Sequence, residues 1–264
     1  MKKKNNTNME IASHGIVAAG ISDVGCVRTE NEDSIWLDES GLVLLLADGM
    51  GGHDRGAEAS RTAIDVFREL LTPEIIKQEI GDITAARGVP REIACLYTII
   101  FRAVGKTANA LSERNKKLKL NRYMGTTVVG LVLVDDDHVL WFHIGDSRLY
   151  KWRESTLKCL TTDHSAYSEW AHSGGHGTAP PKNIITRVIG IDPRVEADIE
   201  WDKKQKNDIF LLCSDGLTDM ITDEQIAEIL KEEKDVKETA NRLINIALAA
   251  GGKDNISVIV CRVR

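Results

Sequence analysis

Two apolar runs in the chain end at an aspartate. The run at residues 42–47 stops at Asp48, the run at residues 209–214 stops at Asp215, and a glycine follows each aspartate. Both runs have the length and apolarity of a buried strand. A carboxylate at the end of such a strand is costly unless a cation meets it, and the following glycine allows unusual backbone angles and close approach of a ligand.

A third aspartate has the inverted arrangement, since Asp254 precedes the apolar run 256–260. If this last strand runs antiparallel to the other two, Asp254 lies at their end of the sheet and three carboxylates converge. Like charges a few ångströms apart repel by roughly 1 kcal/mol even in water. Divalent cations with oxygen ligands usually neutralise such a cluster, so the pattern predicts a metal site.

The remaining pattern indicates an α+β fold. Residues 135–137 form a short polar link between two apolar runs and predict a β-hairpin, so the sheet is at least partly antiparallel. Strands and helices occur in blocks, which favours helices covering an antiparallel sheet or a pair of sheets. Residues 72–90 are mixed and rich in glycine and proline. The predicted strands are 15–21, 42–47, 126–134, 138–144, 149–152, 156–160, 209–214 and 256–260, and the predicted helices are 57–71, 92–114, 223–231 and 236–250.

Composition narrows the class of protein. The 264 residues carry a net charge of -6 and are 42% hydrophobic, which suits a large globular core. We interpret residues 14–264 as a single domain and residues 1–13 as a disordered basic and polar tail. Neither a membrane span nor a secretory signal is expected, and the lack of a basic stripe argues against a nucleic-acid partner. The five cysteines are an odd number and lack metal-type spacing, which favours a location in the reducing cytosol. A monomer is expected by default.

Two further segments bear on the metal site. Alone, the charged loop at residues 25–33 would be a solvated surface loop, but beside a metal cluster the planar fork of Arg28 matches two phosphate oxygens. Asp146 either joins the acidic cluster, pairs with Arg148, or caps the next turn. The glycine-rich turn at residues 48–53 lacks the Gly-Lys-Ser/Thr ending of a nucleotide P-loop, so we reject a nucleotide-binding loop here.

Eight motifs occur in the order found in one family. On these motifs the chain resembles the metal-dependent PPM/PP2C serine/threonine protein phosphatases in their compact bacterial form, from about residue 15 to residue 262. The motifs lie at residues 28–33, 47–52, 124–127, 144–148, 162–165, 185–190, 212–217 and 253–257.

The resemblance implies a four-layer α-β-β-α sandwich, in which two antiparallel sheets are flanked by helices. It also implies a site for two Mg²⁺ or Mn²⁺ ions. In this pattern Asp48 bridges the ions, and Asp215 and Asp254 bind the first. The backbone carbonyl of Gly49 binds the second ion, and Glu32 reaches that ion or its waters.

Other roles follow from the same resemblance. Asp146 matches the position that helps to bind a third, weaker ion, and Arg28 would hold the substrate phosphate. Asp33 and Asn255 would lie behind the ligands and fix their geometry. The implied activity is hydrolysis of phosphoserine and phosphothreonine in proteins by direct attack of a metal-bridging hydroxide, which counteracts protein kinases in signalling. No protein nucleophile is required, so Cys26 is interpreted as structural.

The chain departs from the family at the general acid. Eukaryotic relatives carry a histidine directly after the Asp-Gly pair, and this chain has Met50 there. His53 is near in sequence and is either the acid or, as we prefer, a cap of the following helix. A water bound to a metal ion is the simpler proton donor.

Residues 163–185 occupy the position of the family's mobile flap. They include His164, His172 and His176, whose spacing is not that of a zinc motif. We therefore prefer a flexible flap with solvated histidines to a histidine metal site. The glycine- and proline-rich composition of residues 174–181 differs from the charged helix-turn of many bacterial relatives, so substrate selection by the flap does not transfer.

Two other functions compete with the phosphatase. A non-catalytic module on the same fold would recognise phosphoproteins or other partners, but such proteins usually lose metal ligands and this chain keeps them. A different two-metal hydrolase, such as a nuclease, would be expected to show a basic groove. Release of phosphate from a phosphothreonine peptide separates the three possibilities.

Overall fold

The computed structural model describes residues 7–13, 15–51, 55–119, 123–232 and 234–264. The strands are β1 (Thr7–Ser13), β2 (Ile16–Asp23), β3 (Asp33–Leu37), β4 (Val43–Met50), β5 (Gly125–Thr126), β6 (Val128–Leu133), β7 (His138–Ile144), β8 (Arg148–Arg153), β9 (Thr156–Cys159), β10 (Asp198–Lys203), β11 (Ile209–Cys213) and β12 (Ile256–Val263). The helices are α1 (Arg55–Leu70), α2 (Pro73–Glu79), α3 (Arg91–Leu118), α4 (Ala166–His172), α5 (Asp215–Thr218), α6 (Asp223–Glu232) and α7 (Val236–Ala249), and a 3-10 turn spans Ile80–Asp82.

The strands form two sheets whose pairings are all antiparallel within the described residues. The first sheet has the order β1-β2-β12-β11-β8-β9, and the second has the order β10-β7-β6-β4-β3, with β5 paired to β4. The predicted hairpin at residues 135–137 is confirmed as the link between β6 and β7.

Each sheet is covered on both faces, which explains the continuous apolar runs. Leu44 and Leu46 of β4 lie in the core between the two sheets. Val43 and Leu45 point the other way, into a second core with α1 and α3. A third core packs α6 and α7 against the outer face of the first sheet. The predicted α+β class and its four-layer α-β-β-α sandwich are therefore confirmed.

The predicted tail is wrong over Thr7–Ser13. These residues form β1, which pairs with β2 along its whole length. Met9 and Ile11, two residues apart, point to the same face of the strand and pack against the core between the sheets. This period-2 pattern is short and lies between polar residues, so it is weak in the sequence. Residues 1–6 lie outside the described residues.

The mixed segment 72–90 contains a helix that the sequence analysis did not predict. Thr72 caps α2 by accepting a hydrogen bond from the backbone of Ile75, and Pro73 is its first residue, an arrangement favoured at helix starts. The long helix α3 has 28 residues, against the 23 residues of the predicted span 92–114. Among the described residues, no helix combines the length and apolarity needed to cross a membrane.

A pair of glycine substitutions tests the packing between the second sheet and its helices. A methyl group at Gly130 in β6 would lie 2.4 Å from the ring of Phe142, which stacks on Phe67 with centroids 5.1 Å apart. We expect Gly130→Ala to lower the free energy of unfolding by about 1–3 kcal/mol, because the stacked rings must shift. Urea denaturation measures this change.

Gly105 provides the matched control, since it lies within α3 and a methyl group there would meet nothing within 4 Å. Gly105→Ala should raise the free energy of unfolding by about 0.5–1 kcal/mol, because alanine loses less backbone entropy in a helix. Equal stability of the Gly130→Ala protein and the unsubstituted protein would contradict the packing described here.

Candidate metal centre

Three elements bring the predicted carboxylates together at one end of the sandwich. Asp48 lies in β4, Asp215 follows β11 as the first residue of α5, and Asp254 precedes β12. Because β12 runs antiparallel to β11, Asp215 and Asp254 lie at the same end of the first sheet. Burial raises the pKa of Asp48 well above its usual value, and the charges of Asp33, Asp215, Asp146 and Asp254 raise it further.

Several oxygens of this acidic cluster have no partner. The Oδ1 atoms of Asp33, Asp146 and Asp215 are buried and accept no hydrogen bond from the described residues. Burial, the main cause, raises the pKa of Asp33 and the pKa of Asp146 to about 7. It also raises the pKa of Asp215 to about 6. Buried carboxylate oxygens of this kind fit a divalent cation, and a donor set made only of oxygen suits Mg²⁺ or Mn²⁺.

Asp33 is fixed between the two sheets. It opens β3 and lies opposite Asp48 in the strand register. Its Oδ2 accepts hydrogen bonds from the hydroxyl of Ser257 at 2.6 Å and from the hydroxyl of Ser214 at 3.0 Å. These bonds orient Asp33 beside Asp48. Its role in supporting metal ligands stays a prediction.

The two glycines after the strand-end aspartates are required by close packing. A Cβ at Gly49 would lie 1.9 Å from the carbonyl oxygen of Gly56, and a Cβ at Gly216 would lie 1.9 Å from that of Asn255. Neither Gly49 nor Gly216 has a positive φ. The expected unusual backbone angles are therefore wrong, and the close approach is made by another backbone segment of the protein.

Asn255 shapes the loop that carries Arg28. Its Oδ1 accepts the backbone N–H of Glu32 at 2.8 Å. Its Nδ2 donates to the carbonyl oxygens of Val24 at 3.0 Å and Glu30 at 2.9 Å. One buried amide thus fixes both ends of the segment around Arg28, so Asn255 acts on this loop as well as on the neighbouring Asp254.

Arg28 is the cation that faces the acidic cluster. Its guanidinium donates to Asp254 Oδ2 at 2.6 Å, and half of the Arg28 side chain remains exposed to solvent. That hydrogen bond is the main cause that raises the pKa of Arg28, to which the charges of Asp254, Glu32 and Asp48 add. Glu32 is held nearby, since its Oε1 accepts the backbone N–H of Gly56 at 3.1 Å.

Asp146 does not pair with Arg148, so that alternative is wrong. Arg148 instead makes a two-bond contact with Asp163, with Nε–Oδ1 and Nη2–Oδ2 distances of 2.8 and 2.7 Å. Asp146 is buried beside Asp215, whose charge contributes to its raised pKa. The structure thus brings Asp146 to the acidic cluster.

Two threonines contribute to the site through contacts that sequence reasoning missed. The backbone N–H of Asp48 donates to Thr127 Oγ1 at 3.0 Å, and the carbonyl of Asp48 accepts from Thr126 Oγ1 and from Thr127 N–H, each at 2.9 Å. Thr127 Oγ1 also bonds the hydroxyl of Ser147 at 2.8 Å. The family motif at residues 124–127 marks these threonines in the sequence, but no pattern in it indicates that they bond the backbone of Asp48.

The flap lies beside the acidic cluster. Its helix α4 is capped by Ser165, and a cavity of about 160 Å³ separates the flap residues Tyr167 and Lys182 from Asp146 and Asp215. His172 and His176 are exposed and do not join His164 in a metal-type group within the described residues. His53, the other histidine considered, lies outside the described residues.

Comparison with known proteins identifies the family. The family model for protein phosphatase 2C matches residues 28–256. The serine/threonine phosphatase stp of Listeria monocytogenes is 34% identical over 247 residues, which cover 90% of this chain and 92% of that protein. A crystal structure of the Mycobacterium tuberculosis phosphatase PstP superposes with a TM-score of 0.79 and 32% identity, covering 94% of this chain and 99% of that one. A second PstP structure, in complex with two manganese ions, gives a TM-score of 0.77 and 31% identity, covering 94% of this chain and 97% of that one.

The chain belongs to the protein phosphatase 2C family. Its enzyme class is that of the phosphoprotein phosphatases, which are hydrolases, and metal dependence is general for the family.

Mutual repulsion in the acidic cluster predicts that a ligand substitution stabilises the metal-free protein. In EDTA, Asp215→Asn should raise the melting temperature by roughly 2–4 °C, because it removes about 1 kcal/mol of like-charge repulsion from a domain of this size. Excess Mn²⁺ should reverse the order of the two proteins, since the unsubstituted protein gains more from the ion. Thermal unfolding with and without Mn²⁺ measures both effects.

The sign of the pH dependence is part of the same prediction. Asp146 and Asp215 have pKa values of about 7 and 6 in the folded protein, above the ordinary 3.8, so the folded state binds more protons than the unfolded chain. In EDTA the unsubstituted protein should therefore gain stability as the pH falls from 8 to 5, with a smaller gain for Asp215→Asn. A Tm that falls over this range in both proteins would contradict the proposed repulsion.

Proposed function

We propose that this protein phosphatase hydrolyses phosphoserine and phosphothreonine in proteins, with divalent ions held by the acidic cluster. One observation carries the proposal: Asp48, Asp215 and Asp254 converge, Asp215 Oδ1 is buried without a hydrogen-bond partner among the described residues, and Arg28 donates to Asp254. The named relatives are serine/threonine phosphatases, which supports this substrate class.

Two Mg²⁺ or Mn²⁺ ions are proposed for the core site. Asp48 would contact both ions, Asp215 and Asp254 the first, and the carbonyl of Gly49 and Glu32 the second. The PstP structure that contains two manganese ions supports the number. When bound, such ions would supply positive charge to phosphoryl oxygens. They would also lower the pKa of a bound water molecule toward neutrality.

The protein's own groups bind and orient the phosphate. Arg28 is half-exposed and can present its planar fork to two phosphoryl oxygens, which neutralises negative charge as the bond to the serine or threonine oxygen breaks. Asn255 holds the loop that positions Arg28. Met50 has no ionisable group, so in this proposal a water molecule held at the site supplies the proton to the leaving oxygen.

A third, weaker ion is proposed beside Asp146 and Asp215. Both residues have a buried Oδ1 atom that accepts no hydrogen bond from the described residues. The neighbouring Arg148 is already paired with Asp163 and leaves the charge of Asp146 uncompensated. A cation between the two carboxylates would remove their mutual repulsion.

The cellular setting follows from the same chemistry. The substrates would be phosphoproteins made by a cognate protein kinase, which the phosphatase counteracts. All five cysteines are free thiols, which agrees with a reducing compartment, and we propose the cytosol. We propose a monomer that acts without nucleic acid or membrane.

The first test is phosphate release from a phosphothreonine peptide. The unsubstituted protein should be active in Mn²⁺ or Mg²⁺ and inactive in EDTA. Asp215→Asn should lose roughly 100-fold or more, because the charge that a bound ion places on the transition state amounts to several kcal/mol. Near-UV circular dichroism confirms that the variant is folded.

The outcomes separate the competing functions. Activity that survives Asp215→Asn would overturn the ligand assignment. An unsubstituted protein inactive with every metal would favour a binding module. Cleavage of a phosphodiester with little release from the phosphothreonine peptide would favour a different two-metal hydrolase.

Arg28→Ala tests phosphate binding separately from metal binding. It should lower kcat/KM for the peptide by roughly 10–100-fold, because a charge-assisted hydrogen bond contributes about 1.5–3 kcal/mol. Arg28→Lys should recover only part of this loss, since lysine lacks the planar fork. Arg68→Ala, at an exposed arginine in the last turn of α1, is the matched control and should leave kcat/KM unchanged. Equal effects of the two alanine variants would contradict the role of Arg28.

A further inference from the structure

A pair of stacked histidines lies next to Asp146, outside the acidic cluster. The rings of His143 and His164 are nearly parallel, with centroids 4.4 Å apart and an interplanar angle of 20°. His143 belongs to β7, the strand that leads to Asp146, and His164 lies at the base of the flap. Both rings are buried, and the proposed reaction uses neither of them directly.

These histidines and Asp198 form the one group of three metal-type side chains within the described residues whose ligand atoms all lie within 4.8 Å of one another. The stacking argues against a metal site, because parallel rings direct their nitrogen lone pairs in parallel rather than toward one point. The nitrogens also have partners: His143 Nε2 contacts the carbonyl of Thr162 at 2.8 Å, and His164 Nε2 contacts Asp198 at 3.3 Å. Asp198 is further paired with Arg187 at 2.5 Å.

His164 instead clamps the backbone of Gly145, the residue before Asp146. The backbone N–H of His164 donates to the carbonyl of Gly145 at 2.9 Å, and the backbone N–H of Gly145 donates to His164 Nδ1 at 3.0 Å. Since Nδ1 accepts, the ring proton lies on Nε2, where Asp198 accepts it. Burial lowers the pKa of His164 to about 4, so this neutral tautomer persists at neutral pH.

The clamp leaves Gly145 and its neighbours little freedom. Gly145 has a φ of +107°, and a Cβ there would lie 2.5 Å from the side chain of Thr127. Thr127 also bonds the hydroxyl of Ser147. The turn at residues 145–147 is therefore held by His164 on one side and Thr127 on the other, and Asp146 projects from its centre with a buried, unpartnered Oδ1.

We infer that His164 is a positioning residue that orients Asp146 for cation binding and ties that orientation to the base of the flap. The link to the flap is direct, because His164 is itself a flap residue and its carbonyl accepts the backbone N–H of Thr186, the residue after the flap, at 2.8 Å. All four polar groups of His164 are thereby committed to Gly145, Thr186 and Asp198. The inference rests on the proposed role of Asp146 as a metal ligand.

Two isosteric substitutions separate the ring nitrogens. Asn places an oxygen at the position of Nδ1 and can accept from Gly145, whereas Gln places its polar group near Nε2 and cannot. Mn²⁺ binding, followed by electron paramagnetic resonance of the free ion, gives the number and affinity of sites without reference to activity. We expect His164→Asn to keep the weakest site within about twofold and His164→Gln to weaken it by roughly tenfold or more.

Two further variants define the scale. His172→Gln, at the exposed flap histidine, should bind Mn²⁺ as the unsubstituted protein does. Asp146→Asn should lose the weakest site. If Asp146→Asn binds normally, the proposed ligand role fails; if it loses the site while His164→Gln keeps it, the positioning role alone is overturned.

A measurement on the unsubstituted protein covers the case in which the His164 variants do not fold. Long-range ¹H–¹⁵N correlation spectra report which ring nitrogen carries the proton. His164 should show an unprotonated Nδ1 and a protonated Nε2, both in EDTA and in excess Mg²⁺, which is diamagnetic and leaves the signals observable. A protonated Nδ1 would overturn the inference, because it could not accept the Gly145 N–H.

Discussion

The folded protein must hold mutually repelling carboxylates together at one end of two packed sheets. Burial raises the pKa values of Asp33, Asp48, Asp146 and Asp215, and the charges of neighbouring aspartates raise each of these values further. An isolated chain would move such charges apart, but strands anchored in three apolar cores hold them in place. The free energy of folding therefore maintains an arrangement that a bound cation or protonation relieves. Such a conflict between stability and function is common at active sites.

The groups around the acidic cluster are mostly neutral and hydrogen-bonded. Ser214 and Ser257 fix Asp33, Thr127 fixes the backbone of Asp48, and Asn255 fixes the loop of Arg28. Neutral donors can hold a carboxylate in place without cancelling the charge that a metal ion needs. Arg28 is charged, and its ion pair with Asp254 is exposed and therefore weak, which is compatible with the phosphate-binding role proposed for it.

The flap at residues 163–185 has a fixed base and an exposed outer part. Its base is fixed by His164, while its outer part carries exposed histidines and the aromatic Tyr167, over whose ring Lys182 lies at 5.2 Å. The cavity between the flap and Asp146 is about 160 Å³. A substrate peptide that enters from this side would contact both the flap and the proposed weak metal site.

The sequence by itself determined the class of fold, the family and the acidic cluster, because these are written in local patterns: long apolar runs, a short hairpin link and motifs in a fixed order. It did not predict β1, β3, α2 or β10, whose apolar signals are short and depend on neighbours from distant parts of the chain. Only the tertiary structure decided that Arg148 pairs with Asp163, and that Gly49 is needed for backbone packing. The same holds for the hydrogen bonds of Thr127 to Asp48 and of His164 to Gly145. Each of these contacts joins residues that are separated along the chain, and a single contact of this kind leaves no periodicity in the sequence.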